Sequence, residues 1–240
     1  MNQSWSIVVF CYNEVGTIKE IVELICSIFD TSKKGLYEVV IVDDGSTDGS
    51  VEKIDEVAEL RRDVVKVVKH VKNKGIGETL HDGYLASKNE NLTAIPADGQ
   101  FNVRELVPYM NIDENTFVSF YRLENVQYTT FRNFLSFLNK GVNKILNGMA
   151  LKDVNWVKIY KTKAVQSFDL KLRSSLIESE ICAKLLRSGY TANEVLSYYH
   201  PRVSGVSKGA SFKIIRQALR ETAKLIWVMQ RFHPRKSSDK

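Results

Sequence analysis

Several apolar runs in this chain stop abruptly at carboxylates. The plainest is Ile95-Pro96-Ala97-Asp98-Gly99-Gln100-Phe101, where a β-like run from Thr93 to Ala97 breaks into a carboxylate, a glycine and an amide. Oxygen ligands of this kind suit Mg²⁺ or Mn²⁺ holding a phosphate, and the glycine allows close backbone approach. Asp98 and Gln100 are therefore the candidate metal ligands. Asp43 and Asp44 end a second run, Val39 to Val42. Adjacent carboxylates at a strand tip repel and need a donor such as a nucleobase N–H or a ribose hydroxyl. Tyr12-Asn13-Glu14 follows a third run, Ser6 to Cys11, and the turn Asn73-Lys74-Gly75-Ile76-Gly77 can cradle phosphate through backbone amides at a helix start.

Those groups need a frame. Ser6–Cys11, Val39–Val42, Val64–Val68 and Thr93–Ala97 are near-continuous apolar runs rich in β-branched residues, as in parallel strands covered on both faces. Between them, Ile18, Ile21, Val22, Ile25, Ile28 and Phe29, then Ile54, Val57 and Ala58, then Leu80, Tyr84 and Leu85 recur at helical spacing. Asp48 or Ser50 reads as the cap of the second helix. Ligands of such sheets collect beyond the carboxyl ends of the strands. Successive βα units thus place Glu14, Asp43, Asp44 and Asp98 along one edge of an α/β fold with a mostly parallel central sheet flanked by helices.

The 240 residues suffice for one sizeable core. We expect a main domain over 1–210, divided near 120 into a nucleotide half and an acceptor half, and a basic amphipathic helix and tail over 211–240. Residues 1–199 carry a net charge of −2 and residues 200–240 carry +8, which points to an anionic partner at the tail. Cys11, Cys26 and Cys182 lie in apolar segments and are odd in number, as in a reducing, cytoplasmic compartment. No apolar run is long enough to span a bilayer, and no signal peptide precedes the first strand. Base-stacking aromatics do not alternate with the basic residues of the tail, so a nucleic-acid partner is not expected.

The segments FCYNE, VVIVDDGSTDGS, NKGIGETLHDGY and PADGQF, in this order and spacing, resemble the N-terminal half of family 2 inverting glycosyltransferases with the GT-A fold. That resemblance implies that Glu14, Asp43 and Asp44, in a donor set with Tyr12, Asn13, Gly77, Ala97 and Asp98, bind a nucleotide-sugar. It also implies that Asp98 matches the last Asp of the family's DxD metal motif. Pro96 stands where most members have the first Asp, and Gln100 takes the place of the amide in the DxDxQ variant of polyprenyl-phosphate enzymes.

In the second half, Thr116–Phe120 reads as a strand running into Tyr121-Arg122, and a helix with basic flanks follows over Phe131–Met149. This helix suits a core position, and it also resembles the acceptor-side helix that lies against the bilayer in dolichyl-phosphate mannosyltransferases. Asp153–Tyr160 resembles that group's D-x-x-S-G-F-R segment without its Ser-Gly. Glu178 and Glu180 lie on a helix ending at Gly189, where a solvated face or a general base are both open. His200–Gly209 matches the PRxxGxSK segment of polyprenyl-phosphate glycosyltransferases, and its Arg and Lys are suited to a phosphate.

The expected acceptor-phosphate set is Arg122, Arg132, Arg202, Ser207 and Lys208, and the expected catalytic set is Asp98, Arg122, Arg202 and Lys208. A phosphate monoester, with second pKa of about 6, needs no base to become a nucleophile. The sequence thus predicts metal-dependent transfer of a sugar from GDP-mannose or a UDP-hexose to a polyprenyl phosphate. The expected setting is the cytoplasmic face of a membrane, contacted through basic amphipathic helices or a membrane-anchoring partner. Transfer to a saccharide hydroxyl, with Glu178 or Glu180 as base, and a non-catalytic nucleotide-sugar module are the alternatives. In the stripe model of the last helix, Phe212, Ile215, Leu219, Thr222, Ile226 and Met229 face inward.

Overall fold

The structure is a computed structural model that describes residues 3–32, 36–122, 151–198 and 212–234, with side chains of the last segment from Arg220 onward. Strands β1 (Trp5–Cys11), β2 (Tyr37–Asp43), β3 (Val65–Lys69), β4 (Asn91–Pro96), β5 (Thr116–Arg122), β6 (Lys158–Lys161) and β7 (Thr191–Ser197) form one sheet in the order β3-β2-β1-β4-β6-β5-β7. Only β6 runs against its neighbours β4 and β5. The helices are α1 (Ile18–Ser32), α2 (Ser50–Leu60), α3 (Ile76–Ala86), α4 (Thr162–Gln166), α5 (Ile177–Arg187) and α6 (Phe212–Arg231), with a 3₁₀ turn over Val103–Tyr109. The architecture expected from the apolar runs is present, and each of the five expected strands is found within a few residues of its predicted bounds.

The inner strands are apolar on both faces because both faces are covered. Ile7, Val9, Val39, Ile41 and Ile95 pack under α1, α2 and the 3₁₀ turn. Val8, Val40, Val42 and Leu92 face the opposite way, onto a cluster that includes Leu80 and Tyr84 of α3, Ile177 and Ile181 of α5, and Leu225 of α6. Burying a full aliphatic side chain of this kind is worth roughly 1.5–3 kcal/mol, and the two faces pack on different partners, so a register slip would break a close-packed fit on both sides. The register is level at one end. Cys11 lies beside Asp43, and Phe10 beside Pro96, so β1, β2 and β4 release their following loops at the same edge.

Two expectations change. The helix carrying Glu178 and Glu180 has no solvated face, because every residue from Ile177 to Leu185 is buried. In α6, among the described side chains from Arg220 onward, the inward residues are Leu225, Val228 and Met229, while Ile226 is half-buried and Trp227 is exposed. The Arg187 guanidinium on α5 donates to the Met229 carbonyl, and Phe232 meets Phe168 edge-on at 5.7 Å. The stripe is thus turned about one residue from the predicted one, because α6 follows these contacts with α5 and Phe168. β6 has only four residues, and β6 and β7 are both half-polar without alternation, so neither carries a periodic signal in the sequence. The expected helix over Phe131–Met149 lies outside the described residues.

Gly77 shows how tightly the layers close. A Cβ there would lie 2.2 Å from the Arg173 carbonyl carbon and 2.3 Å from the Ser174 nitrogen, whereas one on Gly16 would meet nothing within 4 Å. Gly77→Ala should therefore destabilise the fold by about 1–3 kcal/mol, as overpacking does, and Gly16→Ala by no more than about 0.5 kcal/mol. Urea unfolding of the two variants measures the difference.

Candidate active site at the carboxyl edge

The β1–α1 and β2–α2 loops are stitched together by short polar side chains. The Asn13 amide N–H donates to Ser46 Oγ (2.9 Å), the Thr47 N–H donates to Asn13 Oδ1 (2.8 Å), and the Glu14 N–H donates to Ser50 Oγ (2.9 Å). Asn13 sits at φ 57°, a left-handed conformation that asparagine tolerates better than most residues. Asp48 accepts from the Val15 N–H (3.1 Å) and from the Ser50 N–H (3.0 Å). The cap position of α2 is Gly49, which has no side chain to offer, and Asp48 one residue earlier takes the first N–H of the helix, so Asp48 both caps α2 as expected and, with Ser50, braces the two loops. Burial raises the Asp48 pKa, but the Ser50 hydroxyl and the backbone donors outweigh it and hold the carboxyl below its usual range.

Asp43 and Asp44 are both buried, and their partners differ. Asp43 accepts from the Ser46 N–H at 3.3 Å. Asp44 accepts from the Lys74 N–H (2.8 Å) and the Gly75 N–H (2.9 Å), and it pairs with His70 Nδ1 at 2.7 Å. His70 Nε2 lies 3.0 Å from Asp82 on α3. Asp44 thus builds the β3–α3 turn from inside, where the sequence suggested a ribose or base contact. The close fit is visible at Gly45, at φ 73°, where a Cβ would come within 2.8 Å of the Lys72 and Asn73 backbone. His70 belongs to no motif in the sequence, and its only signal is its place immediately after β3.

Ala97, Asp98, Gly99 and Gln100 form a turn at the end of β4. The Ala97 N–H donates to the Phe10 carbonyl (3.1 Å), and its carbonyl accepts from the Thr17 hydroxyl (2.5 Å), which pins the turn to β1 and α1. Gly99 at φ 75° lets the chain fold back, so that the Gln100 N–H meets Asp98 Oδ1 at 3.1 Å. Asp98 and Gln100 are half-buried. A carboxylate and an amide oxygen on one tight turn are a donor set that fits a hard divalent cation. Gly77 lies in the first turn of α3, packed on Arg173 and Ser174, and Tyr12 is half-buried beside Asn13. On α3, Glu78, His81 and Asp82 bring ligand atoms within 4.8 Å of one another, but Asp82 is already engaged by His70 and His81.

Arg122, the last residue of β5, arrives at the same edge. Its Nε donates to Asp153 (2.8 Å), and its guanidinium carbon lies 4.3 Å from the centre of the Trp156 ring. Trp156 is edge-on to Phe101, next to the Asp98 turn, at 6.0 Å. Asp153, Trp156 and Phe101 therefore link Arg122 to the Asp98 turn. Arg132, Arg202, Ser207 and Lys208 lie outside the described residues.

Glu178 and Glu180 are not at this edge. Glu178 accepts from the Tyr84 hydroxyl and, at 2.6 Å, from the Tyr160 hydroxyl. Burial pushes its carboxyl up, against the pull of Lys158 and the two phenols. Glu180 accepts from the Lys171 and Leu172 N–H groups and pairs with Lys184 at 2.6 Å. Both are structural acids in the core, which corrects their reading as candidate bases.

A parallel sheet whose level edge carries these carboxylates has the GT-A architecture of nucleotide-sugar transferases. The chain belongs to glycosyl transferase family 2, which it matches over residues 6–168. It is 32% identical over 104 residues to a dolichol-phosphate mannosyltransferase of Pyrococcus furiosus, a match covering 43% of this chain and 28% of that protein. The chain thus spans under a third of that relative's length. Among solved structures, it resembles mannosyl-3-phosphoglycerate synthase from Rubrobacter xylanophilus, with TM-score 0.69 and 13% identity over 99% of this chain and 79% of that one. It also resembles glucosyl-3-phosphoglycerate synthase from Mycobacterium tuberculosis, in complex with Mn²⁺, UDP-glucose and phosphoglyceric acid, with TM-score 0.64 and 15% identity over 95% and 79%.

Removing the Asp44 carboxylate would strand two backbone donors and His70 in a buried turn. Asp44→Ala should lower stability by about 2–4 kcal/mol, given that each buried unpaired group costs about 1–3 kcal/mol. Chemical denaturation checks this, and a change below 0.5 kcal/mol would contradict the structural role.

Proposed function

We propose that this protein transfers a sugar from a nucleotide-sugar to a phosphate monoester with inversion at the anomeric carbon, and that the acceptor is a polyprenyl phosphate. The observation that carries the acceptor class is the fate of the two helical carboxylates. A sugar hydroxyl must lose its proton as it attacks, whereas a phosphate monoester with second pKa of about 6 attacks as an anion. Glu178 and Glu180, the two acids that the sequence offered as bases for a hydroxyl acceptor, are tied up in the core. A cation, Arg122, instead stands at the active edge.

Tyr12, Asn13, Glu14 and Asp43 would line the nucleoside side, with Asp44 holding the turn that borders it. Asp98 and Gln100 would hold Mg²⁺ or Mn²⁺, which supplies positive charge to the leaving diphosphate. The glucosyl-3-phosphoglycerate synthase solved with Mn²⁺ and UDP-glucose supports that expectation. Arg122 would orient the acceptor phosphate for in-line attack, with Arg132, Arg202, Ser207 and Lys208 as further proposed contacts. Pro96, in place of a further carboxylate, makes Asp98 the main anionic ligand.

A lipid acceptor requires access to a membrane surface. Among the described residues no helix is long and apolar enough to cross a membrane. The outward side of α6 bears Arg220, Lys224, Trp227 and Arg231, all exposed, with the Arg231 guanidinium 4.0 Å from the Trp227 ring. Each cation near an anionic leaflet adds about 1 kcal/mol, and tryptophan favours the interface. These residues support peripheral attachment at the cytoplasmic face. A second reading is a soluble phosphorylated acid as acceptor, which the phosphoglycerate synthases of similar fold favour.

The test is transfer of labelled sugar from GDP- and UDP-sugars to short polyprenyl phosphates or to 3-phosphoglycerate, with Mn²⁺ or EDTA. We expect label in the lipid that disappears with EDTA. Label only in phosphoglycerate would move the reading to the soluble acceptor, and label in neither would overturn the phosphate-acceptor reading. Asp98→Ala should lower kcat at least about 100-fold, the size of effect seen when a group stabilising transition-state charge is removed.

A further inference from the structure

Lys158 is an ammonium buried in β6, only 2% exposed, and the chemistry above does not use it. Burying such a charge is costly unless its donors and its charge are both matched. Its donors are matched by main chain: Nζ donates to the Asp153 carbonyl (2.9 Å) and to the Trp156 carbonyl (3.0 Å). Its charge faces Glu178, held between the Tyr84 and Tyr160 hydroxyls. A methionine would fill the same volume without that cost. The ammonium therefore has a geometric job, and the residues it fixes indicate which.

The two carbonyls belong to the two residues that hold Arg122. The Asp153 side chain takes Arg122 Nε, and the Trp156 ring lies beneath its guanidinium. The segment between them has no regular structure, so its shape depends on a few ties. Asp153 Oδ1 accepts from the Asn155 N–H (3.1 Å), Trp156 Nε1 donates to Ser197 Oγ (2.9 Å), and the Val157 carbonyl accepts from the Phe120 N–H (3.1 Å). Lys158 grips the main chain at both ends of the segment at once, on the same two residues whose side chains hold Arg122. Phe101 against Trp156 connects the same segment to the Asp98 turn.

We propose that Lys158 is a positioning residue that sets the angle of the Arg122 guanidinium to the acceptor phosphate by clamping the Asp153–Trp156 segment. This rests on the phosphate-acceptor reading, since Arg122 matters through that phosphate. Lys158→Met removes both donors and keeps the stem, and Lys158→Arg restores donors at the same place.

The test combines kinetics with a readout that needs no turnover. In Lys158→Met, KM for the acceptor should rise about tenfold or more while nucleoside diphosphate binding changes less than twofold. Lys158→Arg should recover part of the loss. In an Arg122→Met background, adding Lys158→Met should change the acceptor KM less than twofold, because coupled residues are non-additive. The Arg122 Nε–H resonance, assigned by its loss in Arg122→Met, should shift in Lys158→Met. An unshifted resonance in a folded Lys158→Met protein would overturn the positioning role, as would full additivity with Arg122→Met. If wild-type protein transfers sugar to neither phosphate acceptor, the underlying reading fails, and the resonance still decides whether Lys158 sets Arg122. Should Lys158→Met not fold, Lys158→Gln, shorter and uncharged, carries the same comparison: an unshifted Arg122 Nε–H resonance together with an unchanged acceptor KM in that variant would overturn the proposal.

Discussion

Everything at the active edge depends on the level register of three strands. Cys11, Asp43 and Pro96 end β1, β2 and β4 within one residue of the same level, and a slip of one residue would exchange the side chains that each inner strand presents to its two covering layers and break the close packing of both. With apolar cover on both sides, that slip is not available. The loops that follow therefore meet. Short polar side chains then decide their shape: Asn13, Ser46, Asp48 and Ser50 tie the first two loops, Asp44 ties the second to the third, and Thr17 ties the Asp98 turn to α1.

The far half of the sheet has a different task. β6 reverses direction between β4 and β5, so that β5 again points its carboxyl end to the active edge and delivers Arg122 there. A buried polar layer stands behind it, with Lys158, Glu178, Tyr84 and Tyr160 on one side of the sheet. Such a layer contributes little net stability relative to an apolar one. Its carboxylate lies away from the reaction edge, and its ammonium grips the segment that holds Arg122. Core and site are thus coupled through a few hydrogen bonds to main chain.

Much of this was legible in the sequence, for physical reasons that also mark where legibility ended. β1, β2 and β4 could be read because strands buried on both faces are continuous apolar runs, and the carboxylates after them stand out against that background. β6 and β7 could not, since Lys158–Lys161 is only four residues long and Thr191–Ser197, as long as β1, mixes polar and apolar residues without alternation. The acids of α5 misled for a related reason. A charged residue on an amphipathic helix normally faces water, but Glu180 finds Lys184 one turn on and two backbone N–H groups, and tertiary pairing of that kind leaves no periodic trace. Asp44, a carboxylate at a strand tip, needs donors by its type and place alone. That the donors are His70 and the β3–α3 turn is a matter of packing, which spacing does not encode.

The central claim is that the carboxyl edge binds a nucleoside diphosphate through a divalent ion on the Asp98 turn. Calorimetric titration of UDP and GDP into the protein, with Mn²⁺ and again with EDTA, tests it most directly. The account predicts saturable binding of one of the two that weakens at least tenfold without the metal and is lost likewise in Asp98→Ala. Binding that is indifferent to both metal and Asp98, or no binding of either nucleotide, would contradict it.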